Sequence, residues 1–298
     1  MTSRRWRRNL WATWAAELLA IMGFSSTFPI WSYYIQELGV TGDAVAQWSG
    51  IIISASSLTM GIMGPIWGAL SDRYGRKVMV IRAMFGGAAT IGLMGFAQTV
   101  EQMALLRLVQ GALTGTVTAA TTLVASGTPR ERLGETLGKL QLAIFLGQSI
   151  GPVTGGFVAD ILGYRATFWL TAAYLVLAGF LMLFLVHEEF TPVEHTEQGT
   201  FWQRMRQDMS GLFAGSVLGL VLGLRFALRV GLRISSPMVP LLVQELLPPD
   251  ALLGSASGLV TTVSGIFSAI ASPVLGRCLL YTSPSPRDRT RSRMPSSA

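Results

Sequence analysis

The stretch GPIWGALSDRYGRKVMVIR, residues 64–82, leaves a long apolar run, crosses a glycine-marked turn dense with charge, and re-enters apolar sequence. Outward from it the same alternation repeats. Runs of about 20 residues with almost no charge, the length a helix needs to cross a bilayer, recur at 10–34, 48–70, 78–97, 103–125, 137–162, 167–186, 212–234 and 252–275. The 298 residues are 50% hydrophobic and 13% charged, about half the charge of an ordinary globular domain at ~25%. A soluble helical protein does not account for charge-free runs of this length. The chain reads as an all-α membrane protein with eight spanning helices.

A formal charge of +7 raises the question of nucleic acid, and its distribution answers it. Arg4, Arg5, Arg7 and Arg8 precede the first span; Arg73, Arg76 and Lys77 follow the second; Arg130, Arg132 and Lys139 follow the fourth; Arg204 and Arg206 follow the sixth. The intervening loops hold Glu37, Asp43, Glu101, the single Arg165, Glu245 and Asp250. Basic residues concentrate on the cytoplasmic side of spanning helices, so the expectation is a multi-pass inner-membrane protein with a cytoplasmic N-terminus. Its partners are the bilayer, whose anionic lipids suit the basic loops, and no nucleic acid. The first apolar run continues past Phe28 without a small-residue cleavage site, so it reads as a retained span. The single Cys278 supports neither a disulfide framework nor a metal site. No phosphate loop, catalytic triad or zinc pattern is present in the sequence, and neither an enzyme nor a cofactor is expected.

The chain also repeats itself. A shift of 208 positions lays FPIWSYYIQEL (28–38) over SPMVPLLVQEL (236–246), matching Pro29 to Pro237, Gln36 to Gln244 and Glu37 to Glu245. The same shift lays SGIIISASSLTMGIMGPIWG (49–68) over SGLVTTVSGIFSAIASPVLG (257–276), matching Ser56 to Ser264, Pro65 to Pro273 and Gly68 to Gly276. One offset serving two successive helices makes the seventh and eighth spans copies of the first and second, in parallel repeats of six. Such a period implies two bundles around a central cavity.

GALSDRYGRK resembles the loop between helices two and three of the major facilitator superfamily, through Gly68, Asp72, Arg73, Gly75, Arg76 and Lys77. Gly75 permits the turn, and Asp72 can pair with Arg73 or Arg76 or face the positive N-terminus of a neighbouring helix. The resemblance implies that this loop latches the two bundles together on the cytoplasmic side when the cavity opens outward. GQSIGPVTGG (147–156) is similar to the family's antiporter signature, through Gly147, Gly151, Pro152, Gly155 and Gly156. Glycines at four-residue spacing leave a smooth face for a neighbouring helix, and Pro152 removes a backbone donor and bends the span. Gly254, Gly258, Thr262, Gly265 and Ala269 form a stripe on the eighth span that is the expected counterpart.

LLRLVQG (105–111) resembles the family's fourth-helix pattern and places Arg107 and Gln110 on a span nearly free of charge. An ionisable residue inside a span is a functional candidate. Because Glu101 lies close by, snorkelling of Arg107 to the headgroups stands beside that reading. Glu17 lies inside the first span, and position 17 plus the 208 shift is Arg225, with Arg229 one turn farther. In the family both helices line the cavity, which implies Glu17 and Arg225 on facing walls as a proton-coupling pair. The alternative is a Glu17 solvated at the cytoplasmic headgroups.

The resemblance covers residues 6–277 and is strongest to the twelve-helix multidrug:proton antiporters. It implies a major facilitator fold with a complete six-helix bundle at 1–187, a cytoplasmic linker at 188–211 and the first two helices of a second bundle at 212–277. Residues 278–298, CLLYTSPSPRDRTRSRMPSSA, lie outside it and resemble translated adapter or vector sequence, so the chain is expected to be an inactive fragment. The expected activity of the whole is efflux of small amphipathic compounds driven by a proton gradient. Uptake of a polar or anionic metabolite with protons, and a non-transporting membrane sensor or assembly partner, are the alternatives.

Overall fold

The computed structural model describes residues 3–188, 190, 219–221, 223–224, 227–228, 231, 238–248 and 252–282, with side chains described between residues 6 and 267. The expected linker, the tail from 283 onward, Arg225, Arg229 and most of the seventh span lie outside the described residues. Ten α-helices are described: α1 (Ser3–Ser26), α2 (Trp31–Glu37), α3 (Ala44–Tyr74), α4 (Arg76–Met94), α5 (Val100–Leu113), α6 (Thr116–Gly127), α7 (Leu133–Leu162), α8 (Tyr164–Leu185), α9 (Met238–Leu246) and α10 (Leu253–Thr282). They make six rods long and apolar enough to cross a membrane, with the apolar part of α10 beyond them. No strand occurs among the described residues.

Two of the expected spans are broken rods, and each break has a local cause. In the first, Pro29 opens a single 3-10 turn at Phe28–Ile30, which links α1 to α2; proline has no amide to donate to the preceding turn. In the fourth, Gly115 adopts φ +128° between α5 and α6, a conformation that only glycine takes without strain. Carbonyls freed at that break must find donors. The Trp67 indole donates to Ala112 O at 2.6 Å, and Arg82 Nη1 donates to Leu113 O at 2.8 Å. The Arg82 guanidinium also lies 3.5 Å from the centroid of the Trp67 ring.

The core of the first bundle is built around α1. Ala16 and Ala20 are fully buried, and small hydroxyl side chains fasten α1 to its neighbours. Ser25 donates to Gly147 O on α7 at 2.9 Å, and Thr171 on α8 donates to Gly23 O at 3.0 Å. Apolar side chains such as Leu58 and Ile62 on α3 and Phe184 on α8 remain more than half exposed.

The glycines of α7 divide between two neighbours. A Cβ on Gly147 would meet Leu18 O and the Ile21 side chain, one on Gly151 would meet Ser25 Oγ and Met22 O, and one on Gly155 would fall 2.0 Å from Ser26 O. Those three glycines meet α1, and the expected meeting with the eighth span is made by Pro152 and Gly156 of the same motif. Helix α10 instead lies on the adjacent face, where Gly156 meets Gly254 O and Gly258 meets Pro152 O. Two faces are needed because Gly156 stands about 100° around the helix from Gly155.

Replacing Gly155 with Val is expected to destabilise the bundle by about 1–3 kcal/mol, because the obstructing atom is backbone and has nowhere to retreat. Gly138→Ala on the same helix, where an added Cβ meets nothing within 4 Å, is expected to be neutral or stabilising by up to ~1 kcal/mol. Equilibrium unfolding in detergent compares the two, and equal effects would contradict the packing.

Candidate functional site: the bundle interface and the buried carboxyl

The loop of residues 68–77 fastens within its own bundle. Gly75 sits at φ +95° and joins α3 to α4 with no intervening residue. The Glu188 carboxylate, just beyond α8, accepts from Arg76 N at 3.0 Å and Lys77 N at 2.8 Å. Lys77 Nζ returns to Leu183 O at 2.9 Å, near the C-terminus of α8. A carboxylate on the amide end of one helix and a cation on the carbonyl end of another are both favoured by the helix dipoles. The sequence reading gave Asp72 this kind of role. Among the described residues Asp72 makes no hydrogen bond or ion pair, and Arg73 lies instead over the Tyr74 ring at 5.5 Å. Asp72 ends α3, where the backbone presents carbonyls, so the amide end is reached by Glu188. Gly68 leaves open space.

Arg107 is turned into the bundle, 8% exposed, which argues against snorkelling. Its Nη1 donates to Gln110 Oε1 one turn along α5, and its guanidinium lies 4.1 Å from the centroid of the Trp31 ring on α2. The sequence pattern thus brings together a cation, an amide acceptor and an aromatic face.

At the end of the bundles opposite the N-terminus, a set of polar contacts joins the two repeats. Gln36 and Gln244 exchange side-chain hydrogen bonds at 2.9 and 3.0 Å; they are the pair related by the 208 shift. The Tyr33 hydroxyl donates to Pro240 O at 2.6 Å and shares a hydrogen bond with Ser257 at 2.8 Å. The Asp160 carboxylate, at the end of α7, accepts from Gly254 N at 2.9 Å and Ser255 N at 2.7 Å. Those amides open α10, so the carboxylate caps a helix of the other repeat. One turn after another along the same seam, Thr262 donates to Ser149 O at 2.6 Å. Beneath the clamp lies a cavity of about 200 Å³, walled by Phe28 and Pro29 from the first repeat and by Val239, Pro240, Val260 and Ser264 from the second.

Glu17 is 0% exposed, and neither carboxylate oxygen has a hydrogen-bond partner. It lies roughly 17 Å along the rod that starts at Trp6, near the middle of a hydrocarbon core of about 30 Å. Its burial keeps it from solvent in this structure. Leu10 and Phe24, which share its side of α1 by helical spacing, pack within the first bundle. Leu10 joins Val124 and Leu140, and Phe24 reaches Gly87. The carboxyl therefore turns into its own bundle; Arg225, the partner expected on the facing wall, lies outside the described residues.

The residues that sequence reasoning missed are Tyr33, Asp160, Glu188, Arg82 and Trp67. Asp160 carried a signal, since it stands four residues past the Gly155–Gly156 pair on the α7 face that meets α10. Glu188 carried none, because its role depends on the return of the chain after α8.

Comparison with known proteins bears on the whole arrangement. The family profile of the Major Facilitator Superfamily matches residues 13–209. The multidrug resistance protein MdtG of Escherichia coli O6:K15:H31 (strain 536 / UPEC) is 34% identical over 277 residues, covering 93% of this chain and 67% of that protein. MdtG of Klebsiella pneumoniae (strain 342) is also 34% identical, with 93% and 66% covered. The chain thus spans about two thirds of the length of these relatives. Among solved structures, the nucleoside transporter NupG superposes with a TM-score of 0.67 at 16% identity over 89% of this chain and 67% of that one. A D-xylose-proton symporter gives 0.62 at 15% identity over 90% and 69%. At such identities these two establish the fold alone.

Asp160→Asn keeps the shape of the clamp and removes its charge. A charge-assisted cap on a helix N-terminus contributes about 1–2 kcal/mol in a partly buried setting, so exchange of the Gly254 and Ser255 amides is expected to quicken by roughly 5- to 30-fold. Unchanged exchange at both amides would show that the carboxylate holds nothing.

Proposed function

The chain belongs to the major facilitator superfamily, a family of membrane transporters, and from that membership and the geometry of its interface we propose that it serves efflux of small amphipathic compounds driven by proton entry. The multidrug resistance relatives support the substrate class, and so does the mainly apolar wall of the 200 Å³ cavity. Hydrocarbon-like walls accept flat or branched apolar groups without specific geometry, while Thr261 and Ser264 add hydroxyl side chains to the lining. The Lys and Arg distribution supports a cytoplasmic N-terminus in the inner membrane. In that orientation the Gln36–Gln244 and Asp160 contacts close the outward end, and the arrangement faces inward. Outward opening breaks those contacts as the bundles rock about the cavity.

The observation that carries the proton-coupled reading is the buried, unpartnered carboxyl of Glu17. A carboxylate anion out of water needs a counter-charge or donors. Among the described residues none reaches either oxygen, so we assign Glu17 the transported proton in the inward-facing state. Arg107, held against Trp31 at 4.1 Å, is the cation on the neighbouring rod whose distance to α1 changes if the rods shift, and it tunes the release of that proton. Asp72 is proposed to act in the other state, where rocking brings the second bundle toward the α3–α4 loop.

Glu17→Gln is expected to abolish pH-gradient-driven efflux while leaving substrate binding intact. The measurement is dye efflux in everted membrane vesicles, made with these 298 residues alone and with the reading frame extended to the length of the relatives. Normal efflux by Glu17→Gln across a range of imposed gradients would remove Glu17 from the coupling mechanism. Accumulation in the opposite direction would overturn export.

A further inference from the structure

A proton carrier buried in a bundle needs a route to water. Asn9, Thr13 and Glu17 stand at i, i+4 and i+8 on α1, each about 6 Å above the last along one face. At the foot of this column Asn9 is anchored to the segment after α8. Its Nδ2 donates to His187 O at 2.7 Å, and His187 N donates back to Asn9 Oδ1 at 3.2 Å. Above it, Thr13 is 0% exposed with its hydroxyl unpartnered, and Glu17 follows with both oxygens unpartnered. Thr136 on α7, one turn before Leu140, adds another fully buried hydroxyl without a partner. Buried polar atoms in native proteins are nearly always satisfied by protein or by water. Four such oxygens in one bundle therefore point to water.

Space for one water is present beside Asn9 and Thr13, one turn below Glu17. A cavity of about 20 Å³ runs between α1 and α6, walled by Trp6, Asn9, Leu10, Thr13, Val124 and Thr128 among others. A water needs roughly 10–15 Å³ measured in this way. Leu10, Val124 and Leu140 make an apolar sleeve beside it, which confines water to the polar face. Charge near the column gathers at its foot, where Arg7 and Arg132 stand over the Trp6 ring at 5.6 and 5.8 Å. Helix α6 carries no ionisable side chain. Helix α7 brings Glu135 and Lys139, paired with each other at 2.5 Å on the exposed surface, and Asp160 at its far end. Helix α8 brings Tyr164, Arg165 and Tyr174 in its first three turns, toward the outward end. On α1 itself Arg8 is bound to His187 Nδ1 at 3.0 Å.

We propose that Asn9, Thr13 and Glu17 form a single-file, water-mediated proton path to the cytoplasmic side, with the Thr13 hydroxyl as its relay. The Glu17 carboxyl O–H bond breaks, and its proton passes to a water held beside Thr13. That water, or the Thr13 hydroxyl in turn, gives up one of its own protons toward Asn9, and bulk water at the Asn9–His187 mouth takes the net proton. Glu17 is left ionised until a proton returns from the other side. The path rests on the reading of Glu17 as the proton carrier.

The test uses the 298-residue chain in lipid nanodiscs and the infrared band of its protonated carboxyl groups. The component lost in Glu17→Gln is the Glu17 signal, and its shift on transfer to D2O gives the rate of proton exchange at that site. Thr13→Val keeps the side-chain shape and removes the relay; the expected exchange is about tenfold slower, the effect of leaving one hydrogen-bonded step unmade. Thr13→Ser restores the hydroxyl and is expected to exchange at the parent rate, which separates a relay from a packing defect. If Thr13→Val exchanges as fast as the parent while Glu17→Gln loses the band, the path is wrong and the carrier reading stands. If Glu17→Gln loses no band, position 17 holds no proton and both fall.

Discussion

Two helix backbones in contact leave no room for a Cβ, and α7 meets that constraint on two faces at once. Gly147, Gly151 and Gly155 admit α1, while Pro152 and Gly156 admit α10. Everything else in the interface is positioned by this double approach. The Ser25 hydroxyl reaches Gly147 O because the α1 and α7 backbones touch, and Asp160 reaches the amides of α10 because the Gly156–Gly254 contact sets α10 one turn away. Close approach also substitutes for the hydrophobic effect, which offers little drive between helices already surrounded by lipid. Loss of any one glycine therefore acts on the first bundle and on its junction with the second in different ways. Gly155 governs the first and Gly156 the second.

A carboxylate seated on the amide end of a helix occurs twice, with different consequences. Glu188 clasps the start of α4 and ties the chain after α8 back to its own bundle. Asp160 clasps the start of α10 and ties one repeat to the other. The physical interaction is the same, two charge-assisted hydrogen bonds along a helix dipole. The first is internal to one bundle, whereas the second crosses the seam between the repeats. The Gln36–Gln244 pair suits that seam for a related reason. Symmetry-related residues meet only on the axis between the repeats, and an amide is self-complementary, donating and accepting toward a copy of itself.

Guanidinium groups inside the rods follow one pattern. Arg82 and Arg107 each lie on an indole face, and each spends donors on a nearby acceptor, a carbonyl at the α5 break in one case and the Gln110 amide in the other. An arginine in hydrocarbon is tolerated when its charge is spread over an aromatic face and its donors are used. Glu17 departs from that pattern. With neither oxygen engaged it lacks such partners, and the Thr13 hydroxyl one turn below it is equally unengaged.

Sequence alone determined the all-helical membrane class, the six-helix period and the family, because those depend on quantities local to the chain: run length, charge sidedness and motif spacing. It also fixed the 208-residue relation that brings Gln36 to Gln244, and it selected Glu17 and Arg107 as charges inside spans. It did not determine which neighbour each face meets. The α7 glycine stripe was legible as a docking face, yet whether α1 or α10 filled it was decided by the rotation of α7 in the bundle. The Glu17 side chain likewise turned inward because Leu10 and Phe24 on its face are claimed by the first bundle. Asp72 matched a motif, but the amide end nearby was taken by Glu188, more than a hundred residues along the chain. Periodicity tells which residues share a face, and only the packing of the rods tells what that face touches.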